Sequence, residues 1–208
     1  MLVAALVSAA CAHGHHAHGF ERAEEWAKDL DDPSREVWQR PVAVVATMDV
    51  KKGMTVADLG AGTGYFLPYL SRAVGPRGRV LALDVEPDMV RYVRERAARE
   101  GLANVEARVV AADDPGLSPG SVDRVLVVST WHHVAGREAY ARKLLGALAP
   151  RGTVTVVDFL MDAKHGPPPP HLLDPGQVTR ELESAGFEVG MVLPGLPEQY
   201  LLVAHQKL

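Results

Sequence analysis

The chain has 208 residues, 47% of them hydrophobic and 23% charged, with a formal net charge of −4. That length suits one sizeable domain, and that composition a soluble, globular chain with a real core. No lysine- or arginine-rich block occurs, so nothing points to nucleic-acid binding driven by phosphate contacts.

Residues 1–11, MLVAALVSAAC, are an apolar run too short to span a bilayer. Ser8, Ala9 and Ala10 before Cys11 resemble the cleavage region of a bacterial lipoprotein signal, which would attach the chain to a membrane through a lipidated Cys11. The basic residues that usually open such a signal are missing, and Ser8 stands where leucine is usual. The other reading is a frayed tail, so the location stays open between the cytoplasm and a membrane-anchored, periplasmic state. Cys11 is the one cysteine, so no intrachain disulfide forms. His13, His15, His16 and His18 lie in a Gly/Ala-rich stretch without fixed geometry, and no metal site is expected from them. Residues 1–20 are therefore read as a flexible segment, set apart from a domain over 21–208.

Residues 21–30 predict a short amphipathic helix with Ala23, Trp26, Ala27 and Leu30 on one face, broken by Asp31-Asp32-Pro33-Ser34. A second helix is expected over 41–49. Strands follow at 55–59, 79–84, 105–110, 122–129, 153–159, 187–192 and 200–205, mostly apolar and β-branched, as in a sheet covered on both faces. Helical spacing recurs at 87–100, opened by Pro87 and stopped by Gly101, and at 137–148, ended by a Pro150-Arg151-Gly152 turn. The tetraproline 167–170 reads as a stiff extended connector. Asp174-Pro175-Gly176-Gln177 resembles a capping box that opens a helix running to Gly186. The pattern predicts an α/β fold: a Rossmann-like, doubly wound, seven-stranded sheet, mostly parallel. The link Pro194–Pro197 is too short for a crossover helix, so one strand near the C-terminus should be antiparallel.

The turn after the first strand, VADLGAGTGYF at 56–66, is the most informative stretch. A dinucleotide fingerprint needs G-x-G-x-x-G. Counting from Gly60, the third glycine falls on Tyr65; counting from Gly62, it falls on Leu67. The spacing is instead D-x-G-x-G-x-G, from Asp58 through Gly60, Gly62 and Gly64.

With VLALD at 80–84, this spacing resembles the class I S-adenosylmethionine-dependent methyltransferases over roughly residues 35–208. The resemblance implies S-adenosyl-L-methionine as cofactor, with Gly60, Ala61, Gly62 and Gly64 passing beneath its methionine part. Asp58 then matches the acid that holds the amino group. Asp84, followed by Val85, matches the acid that accepts both ribose hydroxyls, a task suited to two carboxylate oxygens. Asp58 could instead satisfy loop amides and Asp84 cap the next helix; their shared place at strand ends favours the cofactor. Asp113, with Asp114 close behind, matches the acid that accepts from the adenine amine, although an Asp-Pro turn explains it equally well. Ser129 and Trp131 end the fourth strand where the transferred methyl should lie, with Trp131 a candidate to face the sulfonium. His132 or His133 could act as the base, or the pair could only line a pocket.

Within that class the chain is similar to small bacterial proteins that share DDPSREVWQRP at 31–41, the Thr130-Trp131-His132-His133 element, GPPPPH at 166–171 and LPEQY at 196–200. Trp38, Gln39 and Arg40 would form part of a lid, or simply pack the first helices on the sheet. The expected function is methyl transfer to an unidentified small-molecule acceptor. The rivals are an exported lipoprotein or sensor that binds the cofactor without turnover, and a nicotinamide-dependent oxidoreductase, which Tyr65 opposes.

Overall fold

The computed structural model describes residues 22–192 and 195–207. Cys11 and the four histidines of the leading segment lie outside the described residues, as do Leu193 and Pro194.

Seven strands form one sheet: β1 Thr55–Leu59, β2 Arg79–Asp84, β3 Val105–Val109, β4 Val122–Val128, β5 Leu148–Phe159, β6 Phe187–Val192 and β7 Gln199–Gln206. Their order is β3-β2-β1-β4-β5-β7-β6. β7 runs antiparallel to both neighbours, and the other pairs are parallel. The expected antiparallel strand is thus present, wedged between β5 and β6 by the short link before it.

The strands are apolar throughout because both faces are covered. Ala57, Leu59, Leu81, Leu83, Val125 and Val127 face one core with α6 (Arg137–Ala147) and α7 (Pro175–Ser184). Val56, Val80, Ala82, Leu126 and Val157 face the other with α3 (Pro41–Thr47), α4 (Leu67–Val74) and α5 (Pro87–Arg99). Burying each valine or leucine among them contributes about 1.5–3 kcal/mol. With apolar residues on both faces, a one-residue slip would expose no polar surface in mid-strand. Buried acids near the strand ends, Asp58, Asp84 and Asp158, are what such a slip would displace.

α1 (Ala23–Leu30) and α2 (Arg35–Trp38) lie over the glycine turn and α5, with the Ala23 amide donating to Asp88 Oδ2 at 2.7 Å. Several local expectations are corrected. The segment 148–152 is strand, not a turn after a helix, because Leu148 already pairs with Val122; a bulge and Arg151 at φ 64° absorb the irregularity. The third strand stops at Val109, one residue short of the expected 110, and a loop with an Ala111–Asp114 bridge follows. Pro169–His171 closes into a 3₁₀ turn within the extended proline run. Asp174 caps α7 by accepting from the Gln177 amide, but the Gln177 side chain turns to Glu181, so only half of the capping box is made. No described helix is long and apolar enough to cross a membrane.

Candidate active site

Strand order reverses between β1 and β4, so the loops at their carboxyl ends diverge and leave a crevice, the usual ligand position in open α/β sheets. The glycine turn forms one wall. The amides of Gly60 and Ala61 donate to the Leu83 carbonyl at 2.8 and 3.1 Å, which ties the turn to β2. Gly60, Gly62 and Gly64 have φ of 68°, 54° and 83°, the left-handed region open to glycine. A Cβ on Gly60 would also lie 2.3 Å from Thr130 Oγ1, so the turn after β1 and the end of β4 interlock through that missing methyl.

Two acids stand at this wall. Asp84 Oδ2 accepts from the Gly62 amide at 2.8 Å and Oδ1 from the Glu86 amide at 3.0 Å. It therefore braces the turn and the entry to α5, and each oxygen keeps a lone pair for a vicinal hydroxyl. Burial pushes its carboxyl up, opposed by the amides of Glu86, Gly62 and Val85. Asp58 is buried and accepts no hydrogen bond among the described residues. Burial, then the neighbouring Asp84 charge, push it up to about 7, while Arg35 pulls it down. A buried carboxylate without a partner is costly unless a cation completes it, and the amino group of an S-adenosylmethionine tail is such a cation. The residues present thus fit that cofactor.

The remaining candidates divide. Val85 is exposed beside this wall, and Ala61 is half-buried in it. Asp113 lies at the surface; its carboxylate is 4.0 Å from Lys143 Nζ, while Asp114 accepts from the Gly116 amide at 2.8 Å as an Asp-Pro turn requires. Trp131 is fully buried under α6 and α7, and its Nε1 donates to Glu181 Oε2 at 3.1 Å, so its ring belongs to the core. Ser129 sits at φ 50°, strained for a residue with a side chain, and its hydroxyl accepts from Gln199 Nε2 at 3.1 Å.

His132 and His133 follow in a 3₁₀ turn, rings 4.2 Å apart; His133 is exposed. His132 Nδ1 lies 2.9 and 3.0 Å from the two oxygens of Asp158, whose Oδ1 also accepts from the Phe159 amide. His132 and Asp158 side chains are only 4% and 2% exposed. A proton on Nδ1 satisfies the carboxylate and leaves Nε2 as the acceptor. The sequence does not pair Asp158 with the histidine; its one signal is an acid at the end of a strand.

The segments DDPSREVWQRP and LPEQY meet at the same end, together with His165 just before GPPPPH. Arg35 lies over the Tyr65 ring, its Cζ 4.0 Å from the centroid, and Glu36 accepts from the hydroxyls of Tyr65 and Tyr69. Gln39 is wholly buried; its Oε1 accepts from Arg35 and its Nε2 donates to Gln199 Oε1 at 3.1 Å. Trp38 stacks on His165 at 4.9 Å, and His165 Nδ1 lies 2.8 Å from Glu198 Oε2. Arg40 stays exposed, its Nε donating to the Val37 carbonyl at 3.4 Å.

Comparison with known proteins agrees with this geometry. Residues 56–152 match the model of a methyltransferase domain. Nocamycin O-methyltransferase of Saccharothrix syringae is 28% identical over 81% of this chain and 56% of its own length. A ubiquinone/menaquinone biosynthesis C-methyltransferase of Pasteurella multocida is 31% identical over 59% of this chain and 46% of its own. The chain thus spans about half the length of these curated relatives. A SAM-dependent methyltransferase from Aquifex aeolicus superposes with a TM-score of 0.83 at 33% identity, covering 88% of this chain and 98% of that one. A third of its residues shared with that enzyme along nearly the whole of the enzyme's length, together with the common fold, make this chain a member of the S-adenosylmethionine-dependent methyltransferases.

Proposed function

We propose that the protein methylates a small molecule at an oxygen or carbon that must give up a proton, with His132 as general base and Asp158 as the group that orients it. The His132–Asp158 pair carries this reading. It sits at the carboxyl ends of β4 and β5, beside the turn that suits the cofactor, with one imidazole nitrogen committed and the other left basic.

When bound, S-adenosylmethionine supplies a methyl group on a positively charged sulfur. The chain's own residues hold and orient. The glycine turn lets backbone approach closely, Asp84 receives hydroxyls, and Asp58 supplies a negative charge for an amino group. His132 Nε2 takes the proton of the acceptor, and buried Asp158 stabilises the imidazolium that results. A positioned base of this kind is worth about 10²–10⁴ in rate.

The test incubates the full chain with S-adenosylmethionine and a panel of phenols, quinols, acidic carbon compounds and amines, reading S-adenosylhomocysteine formation. Turnover of a hydroxyl or carbon acid should drop about 10²–10⁴-fold in His132→Ala and by a smaller factor in Asp158→Asn. Turnover of amines alone, unaffected by either substitution, would remove the base from the reading. Tight cofactor binding without turnover of any compound would favour the sensor.

A further inference from the structure

Arg35 is a mostly buried cation that forms no ion pair among the described residues. Asp31, an acid of the same segment, is taken by Arg96 Nη1 at 2.8 Å and by the Thr63 hydroxyl at 2.8 Å. Arg35 donates through Nε and Nη2 to Gln39 Oε1 and through Nη1 to the Leu30 carbonyl. Those contacts use three of a guanidinium's five N–H groups and leave two. The plane is fixed by the Tyr65 ring beneath it, at the far end of the glycine turn.

Asp58 is the complementary case, a buried anion without a hydrogen-bond partner, near enough for its charge and that of Arg35 to affect each other's ionisation. Arg35 is held by its own partners. The Gln39 side chain that receives Arg35 donates to Gln199, which donates to Ser129. This chain of amides ties α2 to β7 and to the end of β4. An incompletely satisfied cation and an unpaired anion, held separately at one wall of a crevice, complement a zwitterion.

We propose that Arg35 binds the carboxylate of the cofactor's amino-acid tail while Asp58 binds its ammonium, so that the first helices read the tail and not the nucleoside. Gln39 and Gln199 are positioning residues for that guanidinium. This rests on the cofactor assignment above. A forked guanidinium can grip a carboxylate with two parallel hydrogen bonds, which a lysine cannot reproduce.

The experiment is calorimetric titration of the full chain with two ligands. S-adenosylhomocysteine carries the zwitterionic tail; 5′-methylthioadenosine carries the same nucleoside without it. Arg35→Met should weaken S-adenosylhomocysteine at least tenfold and leave 5′-methylthioadenosine within about twofold. Arg35→Lys should recover only part of the loss. Retained binding of the tailless ligand also reports that the nucleoside half of the variant is folded. An equal loss for both ligands would show that Arg35 merely supports the lid and would overturn the proposal, as would no loss for either. A wild-type chain that binds neither ligand would overturn the cofactor assignment, and this inference with it.

Discussion

Asp58 sets a conflict between stability and binding. Its carboxyl lies near 7 in the folded protein, against about 3.9 in an unfolded chain. Between these values the folded state holds more protons than the unfolded one, so this group's contribution to stability falls as pH rises from about 4 to 7 and is constant above. A cationic amino group favours the ionised form, so cofactor affinity should rise through the upper part of the same window. Asp58→Asn removes the buried charge. Its Tm should exceed the wild-type value at pH 8, with the advantage shrinking towards pH 5, while its cofactor affinity falls and loses its pH dependence. Thermal melts and titrations at pH 5, 6, 7 and 8 check both halves; a variant that melts lower than wild type at pH 8 would contradict the assignment of cost to this charge.

At the scale of elements, the Gln39–Gln199 contact joins α2 to β7 inside the protein. Gln39→Ala strands buried groups on both Gln199 and Arg35, at about 1–3 kcal/mol. In a chain of this size that lowers Tm by on the order of 2–10 °C. Gln199→Ala should cost a similar amount, and the double variant little more than either, because both remove one interaction. Strictly additive losses in denaturant melts would mean that the two amides act independently.

The elements also show what a sequence exposes. The strands read well because their apolar runs are buried on both faces, and Pro87 and Gly101 bracket α5. The helix Leu67–Val74 escapes such a reading: it has eight residues, barely two turns of periodicity, and begins inside the glycine turn's own aromatic run. Arg35–Trp38, a single turn, has no periodicity to find. In the site, Asp58 and Asp84 are visible as acids near strand ends after the expected spacing. His132 and Asp158 are 26 residues apart and meet only through the β4–β5 register. Gln39 and Gln199 are 160 apart. Trp131 draws attention by residue type, yet the turn after β4 directs it into the core.

For the whole molecule, the described elements begin at Ala23, whose amide is fastened to Asp88 on α5, and the residues of the two cores lie from Val44 onward among those described. The leading segment, proposed as separate from the domain, should therefore be dispensable. A chain beginning at residue 20 should melt within about 2 °C of the full chain, no more than about 1 kcal/mol of lost stability produces at this size. Aggregation or a much lower Tm would place the segment inside the folding unit.

The position of β7 has a consequence for synthesis. It is the last of the seven strands to be made, yet it lies between β5 and β6 and carries Gln199. A nascent chain that has emerged as far as Val192 lacks the strand with which both β5 and β6 pair, and Gln39 has no amide to meet. The Gln39–Gln199 contact cannot form until β7 has left the ribosome. A product truncated before β7 leaves the edge of β5 without its antiparallel partner, and the chain of amides from Gln39 through Gln199 to Ser129 forms only when that strand is in place.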